Sequence, residues 1–180
     1  MKNKKVAMIV MVSLIVFSTL IQARSGLLKL THSAETMFRV TEDKYNNCIY
    51  NDLTRKRTTA LEMGNKVALH YLSAQDPVIL EVQAAVEELS KSVTISQLSV
   101  ANRQLDQAVL VLKSKLEVSD MSDVDEKEVF GLYGRYLNYN STIEKSGYNS
   151  YASKVNETLN QFPANLFKQI FNIQEVELFH

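Results

Sequence analysis

The sequence predicts an all-α protein, with an N-terminal membrane-anchor helix followed by an antiparallel up-down helical bundle of three long helices and a short C-terminal helix. Three observations carry that prediction. The 180 residues include only five glycines and two prolines, a composition poor in helix breakers. Apolar residues recur by threes and fours over long stretches, the period of a helix face, and no strand pattern interrupts them. Two short turn signals, "SAQDPV" and "EVSDMSDVDEKE", divide the chain, and helices joined by short turns run antiparallel.

The first element is the anchor. "MKNKK" is a basic cap, and Val6 to Ile21 form an apolar run with only Ser13, Ser18 and Thr19 as mildly polar members. A helix of that length covers roughly 24 Å, against about 30 Å of bilayer hydrocarbon, and Lys5 and Arg24 extend the reach by snorkelling. The competing reading is a cleaved export signal, since "IQA" (Ile21 to Ala23) loosely resembles a cleavage site, although Ile fits poorly upstream. On either reading the N-terminal lysines stay cytoplasmic and the remainder is exported. The expected division is an anchor and juxtamembrane segment over residues 1–30 and a helical-bundle domain over residues 31–180.

Beyond the anchor, Phe38, Tyr45, Ile49, Ala60, Met63, Val67 and Tyr71 recur at loose helical spacing, so the anchor helix is expected to run on into a long amphipathic one. Gly64 weakens that helix. The second helix opens at Asp76, a good N-cap, with Pro77 at the first helical position, where its missing N–H costs nothing. Its stripe runs Val78, Val82, Ala85, Leu89, Val93, Ala101, Leu105, Ala108, Leu112 and Leu116, with a bend expected around "SKSVTIS". The third opens at Ser122, with Asp125 completing an imitation capping box and Asp123, Asp125 and Glu126 favouring the helix dipole. Its expected face is Phe130, Tyr133, Leu137, Tyr148, Tyr151, Val155, Leu159 and Phe162, interrupted by Asn140 and Glu144, with Gly147 a candidate kink. Pro163 then opens a short helix striped by Leu166, Phe167, Ile170 and Phe171, expected to fold back as a lid over the open end of the bundle.

Composition and motifs exclude several function classes. Residues 1–30 hold five Lys or Arg and no acid, which leaves 15 basic against 20 acidic residues in the rest. A net-acidic domain offers no basic face to nucleic acid. The single Cys48 excludes an intramolecular disulfide and a Cys-based zinc site, and it reads as a small core hydrophobe. His32, His70 and His180 have no ligand spacing, and His70 reads as a half-exposed helix residue. No Gly-rich phosphate loop, nucleophile elbow, metalloprotease helix or di-iron Glu-x-x-His motif occurs. No catalytic, cofactor-binding or metal-binding residue is therefore assigned, and no cofactor is expected. The basic cluster Arg55-Lys56-Arg57 reads as solvated helix surface. Tyr-Asn pairs recur at Tyr45–Asn46, Tyr50–Asn51, Tyr139–Asn140 and Tyr148–Asn149, with Val155–Asn156 a heptad later, and these read as polar rim residues of a bundle core.

The stretch "YNSYASKVNETLNQFPANLFKQIF" (Tyr148 to Phe171) resembles the C-terminal signature of LemA-type membrane proteins. Tyr148–Asn149, Val155–Asn156, Phe162–Pro163, Asn165–Leu166 and Phe171 fall in register, with Val155 in place of the family's second Tyr. "ANRQLDQAVLVL" is similar to the family's middle helix. The first helix departs from the pattern: "LTRKRTTALEM" lacks the family's Asp-Leu-Ile-Pro, and "NIQEVELF" replaces its closing Gly and aromatic pair. The resemblance implies an N-terminal anchor, an antiparallel helical bundle and no established catalytic residues. It makes Tyr148, Asn149, Phe162, Pro163, Asn165, Leu166 and Phe171 the family-motif positions, structural or interacting in role.

The resulting expectation is a non-enzymatic protein of the bacterial inner membrane. It would cross once with its N-terminus cytoplasmic and work by contact with another, unidentified envelope protein. Its partners are then the membrane and that protein, without nucleic acid, and a small-molecule ligand is not expected. The alternative is an extracytoplasmic four-helix sensor binding a small ligand between helices and signalling through a partner, since no cytoplasmic output domain is expected on this chain.

Overall fold

The computed structural model describes residues 2–40 and 48–180, and among them every regular element is a helix. In order these are α1 (Lys2–Arg39), α2 (Ile49–Glu62), a π-helical segment (Met63–Ala68) that runs into the one-turn α3 (Leu69–Tyr71), α4 (Pro77–Lys91), α5 (Ile95–Glu117), α6 (Asp123–Glu144), α7 (Tyr148–Asn160) and α8 (Ala164–Phe171). The all-α class stands. Tyr45 and Asn46 lie outside the described residues.

Three expected continuities are broken, the second and third for a local reason. The first helix ends at Arg39 and the next begins at Ile49. The second is divided at Ser92–Thr94: the Thr94 hydroxyl accepts from the Gln97 backbone N–H at 3.1 Å, and Gln97 Oε1 accepts from the Thr94 N–H at 3.1 Å. That reciprocal capping box starts α5 afresh, and Val93, assigned to the buried stripe, is 69 % exposed. The third is divided at Gly147, whose φ of +69° suits glycine and ends helical geometry before Tyr148. The π-helical segment begins one residue before Gly64, the weak point of the first amphipathic stretch.

The Asp76 cap forms as expected, and the Ser122 capping box forms in its Ser122 half. The Asp76 carboxylate accepts from the Val78 N–H at 3.0 Å and from Lys115 Nζ at 2.6 and 2.7 Å, with Pro77 in the first turn. Ser122 Oγ accepts from the Asp125 N–H at 3.2 Å. Tyr71 binds this same corner, its hydroxyl donating to Asp125 Oδ2 at 2.5 Å while accepting from the Ser122 N–H at 3.0 Å.

The chain forms two compact units. One comprises Met37–Asn149 with Glu177–His180. Here α2 packs on α6 and α4, and α4 lies along α5. The core holds Leu53, Met63, Val67, Ile79, Leu98, Leu105, Leu112, Leu116 and Leu132, with Cys48 buried as expected. On α6 the buried face is Val129, Leu132, Tyr136 and Ile143, one position from the aromatic-led face that the sequence favours; Phe130 is 80 % exposed and Leu137 is exposed. The other unit comprises Met1–Thr36 with Ser150–Val176. Its buried side chains are Leu27 and Ala34 on α1, Ala152, Val155 and Leu159 on α7, and Ile173 and Val176 beyond α8. The lid expected of the C-terminal helix is not formed. α8 buries none of its residues, and Phe162, placed on a core face by periodicity, is 79 % exposed.

Candidate functional site

The roles of the motif asparagines emerge from the C-terminal tail beyond α8. There the chain leaves helical geometry at Asn172, whose left-handed backbone (φ 49°) closes the helix with the Ile173 N–H bonded to the Lys168 carbonyl at 3.0 Å. The last residues are then held by asparagine side chains acting as surrogate backbone. In the α1-containing unit, Asn156 Nδ2 donates to the Val176 carbonyl at 2.9 Å and its Oδ1 accepts the Val176 N–H at 2.8 Å. In the larger unit, Asn149 makes the same pair with Phe179, at 2.5 Å to the carbonyl and 2.8 Å from the N–H. Each side-chain amide satisfies both polar groups of one residue, as a neighbouring strand would.

Within the larger unit the tail is held further: the Tyr148 hydroxyl donates to the Glu177 carbonyl at 2.6 Å, and Glu177 Oε2 accepts the Ser96 N–H at 2.8 Å at the start of α5. Ser99 Oγ bonds both the N–H (2.9 Å) and the carbonyl of His180, and the Arg103 guanidinium donates to that carbonyl at 3.1 Å. The Phe179 ring sits 5.7 Å from Phe38, which meets Tyr148 edge-on at 5.2 Å.

The remaining motif residues lie in the other unit. Phe162–Pro163 is a cis bond. The Pro163 carbonyl accepts the Leu166 N–H at 3.2 Å, and Asn165 Oδ1 is enclosed without a hydrogen-bond partner. Phe171 stacks with Phe167 at 6.3 Å, and Leu166 is exposed.

Sequence reasoning misses a second constellation, in the larger unit. Lys56, assigned to solvated surface, is fully buried. The correction follows from helical spacing: Leu53, Lys56 and Ala60 share the inward face of α2, and Arg55 and Arg57 flank it. Lys56 Nζ donates to Asn102 Oδ1 at 2.5 Å, to Asp106 Oδ1 at 2.7 Å and to Asn140 Oδ1, and it lies 4.8 Å from the centre of the Tyr136 ring. The Tyr136 hydroxyl donates to Asp106 at 2.8 Å, and the Asn102 and Asn140 amides each donate to Asp106 at 3.3 Å. Burial pulls the Lys56 amine below the ordinary lysine range, opposed by the Asp106 charge. Burial, with the Asp106 charge adding to it, holds the Tyr136 phenol protonated far above its usual range. Every polar atom in this cluster points at another member, so its chemistry is that of a closed network joining α2, α5 and α6. Two signals in the sequence point to it: the polar Asn140 on an apolar face, and the Asn102/Asp106 pair four residues apart beside the α5 stripe.

Two surfaces stand apart from these networks. α1 carries one helix, Lys4–Arg39, long and apolar enough to cross a membrane, and its apolar stretch is wholly exposed. In the larger unit an open groove of about 650 Å³ lies between the end of α5 and the start of α6, lined by Lys113, Glu117, Asp120, Glu126, Lys127 and Phe130. Among the described residues no group of three or more His, Cys, Asp or Glu is placed to hold a metal ion. Compared with models of known families, with curated proteins and with solved structures, the chain matches none.

Proposed function

We propose that this is a membrane-anchored, non-catalytic helical protein of the bacterial cell envelope, LemA-like in kind, which acts through contact with another envelope protein. The observation that carries the reading is the exposed apolar stretch of α1, continuous in one helix with a segment whose Leu27 and Ala34 are buried in a folded unit. Nearly a dozen large apolar side chains between Val6 and Ile21 are more than half exposed, a surface that water penalises and a bilayer accepts. The polar clusters elsewhere are occupied in holding the fold: Lys56 and Asp106 with each other, and the motif asparagines with the tail.

Topology is tested by impermeant maleimide labelling of intact cells. Cys48 is the only cysteine and is buried, so Val124→Cys, at a 74 % exposed position on α6, supplies a single reactive thiol. The outward orientation predicts labelling without permeabilisation. Labelling only after lysis reverses it. Crosslinking in native membranes followed by identification of the crosslinked protein addresses the partner.

The groove beside Phe130 favours a second reading, a small-ligand sensor. A ligand present at 100 times its Kd stabilises the protein by about 2.7 kcal/mol, so a thermal-shift screen that finds no stabiliser counts against this reading.

A further inference from the structure

The unit formed by Met1–Thr36 and Ser150–Val176 contains its own clue to what covers α8. α1 leaves this unit at Thr36 and α7 enters it at Ser150. Two residues inside those points, Ala34 and Ala152 are both fully buried; seven residues further in, Leu27 and Leu159 are buried too. Equal heptad steps on both helices are the burial pattern that an antiparallel seam would give, with α7 running back along α1 toward the apolar stretch. Coverage on α1 continues through the half-buried Ala23 to Leu20 and then stops, since residues 4–19 are all exposed. On that seam the chain beyond Leu159, residues 161–171, falls at the level of Leu20 to Arg24, where the apolar run gives way to charge.

α8 is built for that level. Its inner residues Ala164, Phe167 and Phe171 are half-buried, whereas Leu166 and Ile170, spaced by four, are exposed at 48 and 64 %, and Phe162, just before the helix, is exposed at 79 %. Its one cation, Lys168, is held on the other side by Glu175 at 2.5 Å and Asn160 at 2.9 Å. An apolar stripe opposite a polar face is the form of a helix lying in the headgroup boundary.

We propose that α8 lies in the bilayer surface, with Phe162, Leu166 and Ile170 immersed in lipid beside the emerging span. This rests on α1 being a membrane span. With Lys154, Glu157, Lys168 and Glu175 balancing over residues 150–176, the association is apolar and independent of anionic lipid.

The chain has no tryptophan, so a single one reports without background. Full-length Ile170→Trp and, separately, Phe17→Trp are reconstituted in phosphatidylcholine vesicles carrying lipid brominated either near the headgroup or at the acyl end. Phe17→Trp in the span is expected to be quenched by the deep bromines. Ile170→Trp is expected to show blue-shifted emission, stronger quenching by the shallow bromines, and no change between low and high salt. If Phe17→Trp is quenched but Ile170→Trp is open to aqueous iodide and blind to brominated lipid, the span stands and the α8 proposal falls. Shielding of Ile170→Trp from iodide without lipid quenching assigns the stripe to a protein contact, which also overturns the proposal. Loss of deep quenching at Phe17 overturns the span and the α8 placement together. A second reporter, Leu166→Trp, gives the same three readouts if the Ile170 variant does not fold.

Discussion

Asp106→Ala should destabilise the protein far more than Lys56→Met, although the two substitutions break the same ion pair. The Lys56 amine is fully buried, whereas the Asp106 side chain is 31 % exposed. Removing Asp106 leaves a fully buried cation with only the Glu144 charge to oppose it, and takes the acceptor from the Tyr136 hydroxyl and two amide donors. Breaking a buried pair from this side costs about 3–5 kcal/mol, and the partial exposure of Asp106 puts the expected value near the lower figure, about 3. Lys56→Met keeps the stem volume and removes the buried charge. Asp106 then retains Tyr136 and both amides and draws on water, while Asn102 Oδ1 and Asn140 Oδ1 lose their donor, so the cost should be about 1 kcal/mol. The assay is urea unfolding of the full chain in mild detergent, followed by far-ultraviolet circular dichroism. A slope of about 1–3 kcal/mol per molar converts the difference of about 2 kcal/mol into a midpoint gap of roughly 1 M. Equal midpoints for the two variants would refute the asymmetric network, and a Lys56→Met that unfolds first would reverse it.

The same cluster sets an alkaline signature. The ordinary lysine value is 10.5 and the native one lies below it, so between the two the unfolded chain holds more protons and stability rises with pH. Wild type should gain on Lys56→Met as pH rises toward 10.5 in paired unfolding curves, and a flat difference contradicts the burial. At the acid end, hydrogen bonds from Tyr71 and Ser122 depress the Asp125 carboxyl below its usual 3.8. The advantage of wild type over Tyr71→Phe should be present above that value and vanish as pH falls through the native one, as read by thermal melts. Asn156→Asp keeps the acceptor for the Val176 N–H but loses the donor to its carbonyl. Hydrogen exchange should show Val176 opening more readily, by about 1 kcal/mol, and unchanged protection would show that the clamp does not hold the tail. Gly147→Ala meets no neighbour within 4 Å but must hold φ +69°, so a loss of about 1 kcal/mol is expected, with Gly147→Asn milder.

Legibility in the sequence depends on whether the cause is local. Asp76 with Pro77, and Ser122 with Asp125, are caps whose donor and acceptor lie within three residues; the first forms as read, and the second forms its Ser122 half while the Ser122 N–H goes to Tyr71 instead of Asp125. Thr94 with Gln97 is equally local. It is masked because the apolar stripe passes through Val93 without a change of period, although the chain turns there. The face of α6 is misplaced by one position because Phe130 and Leu137 outweigh Val129 and Leu132 in size, and size is not inwardness. Lys56 is harder to read: helical spacing places it inward, but its partners come from α5 and α6, 46 to 84 residues away, where only the polar Asn140 and the Asn102/Asp106 pair hint at them.

The asparagines sit between these extremes, and they show what a repeated residue pair is worth. Their recurrence is visible in the sequence, but a rim role treats the asparagine as an accessory to its tyrosine. At Asn149 and Asn156 the amide is the principal: it substitutes for a strand backbone against a tail with no partner strand among the described residues. An amide that accepts and donates in one plane is required for that. Asp keeps only the acceptor, Ser is too short to reach both groups, and Gln is a methylene too long to hold the register. The tyrosine is the variable half, since Val155 fills the second position with equal burial and no hydroxyl. Each half of the motif therefore has its own test. Val155→Tyr should be tolerated or mildly disruptive through crowding alone, whereas Asn149→Gln, chemically the milder change, should release Phe179 to hydrogen exchange. The opposite ranking would return the asparagines to the rim of the core.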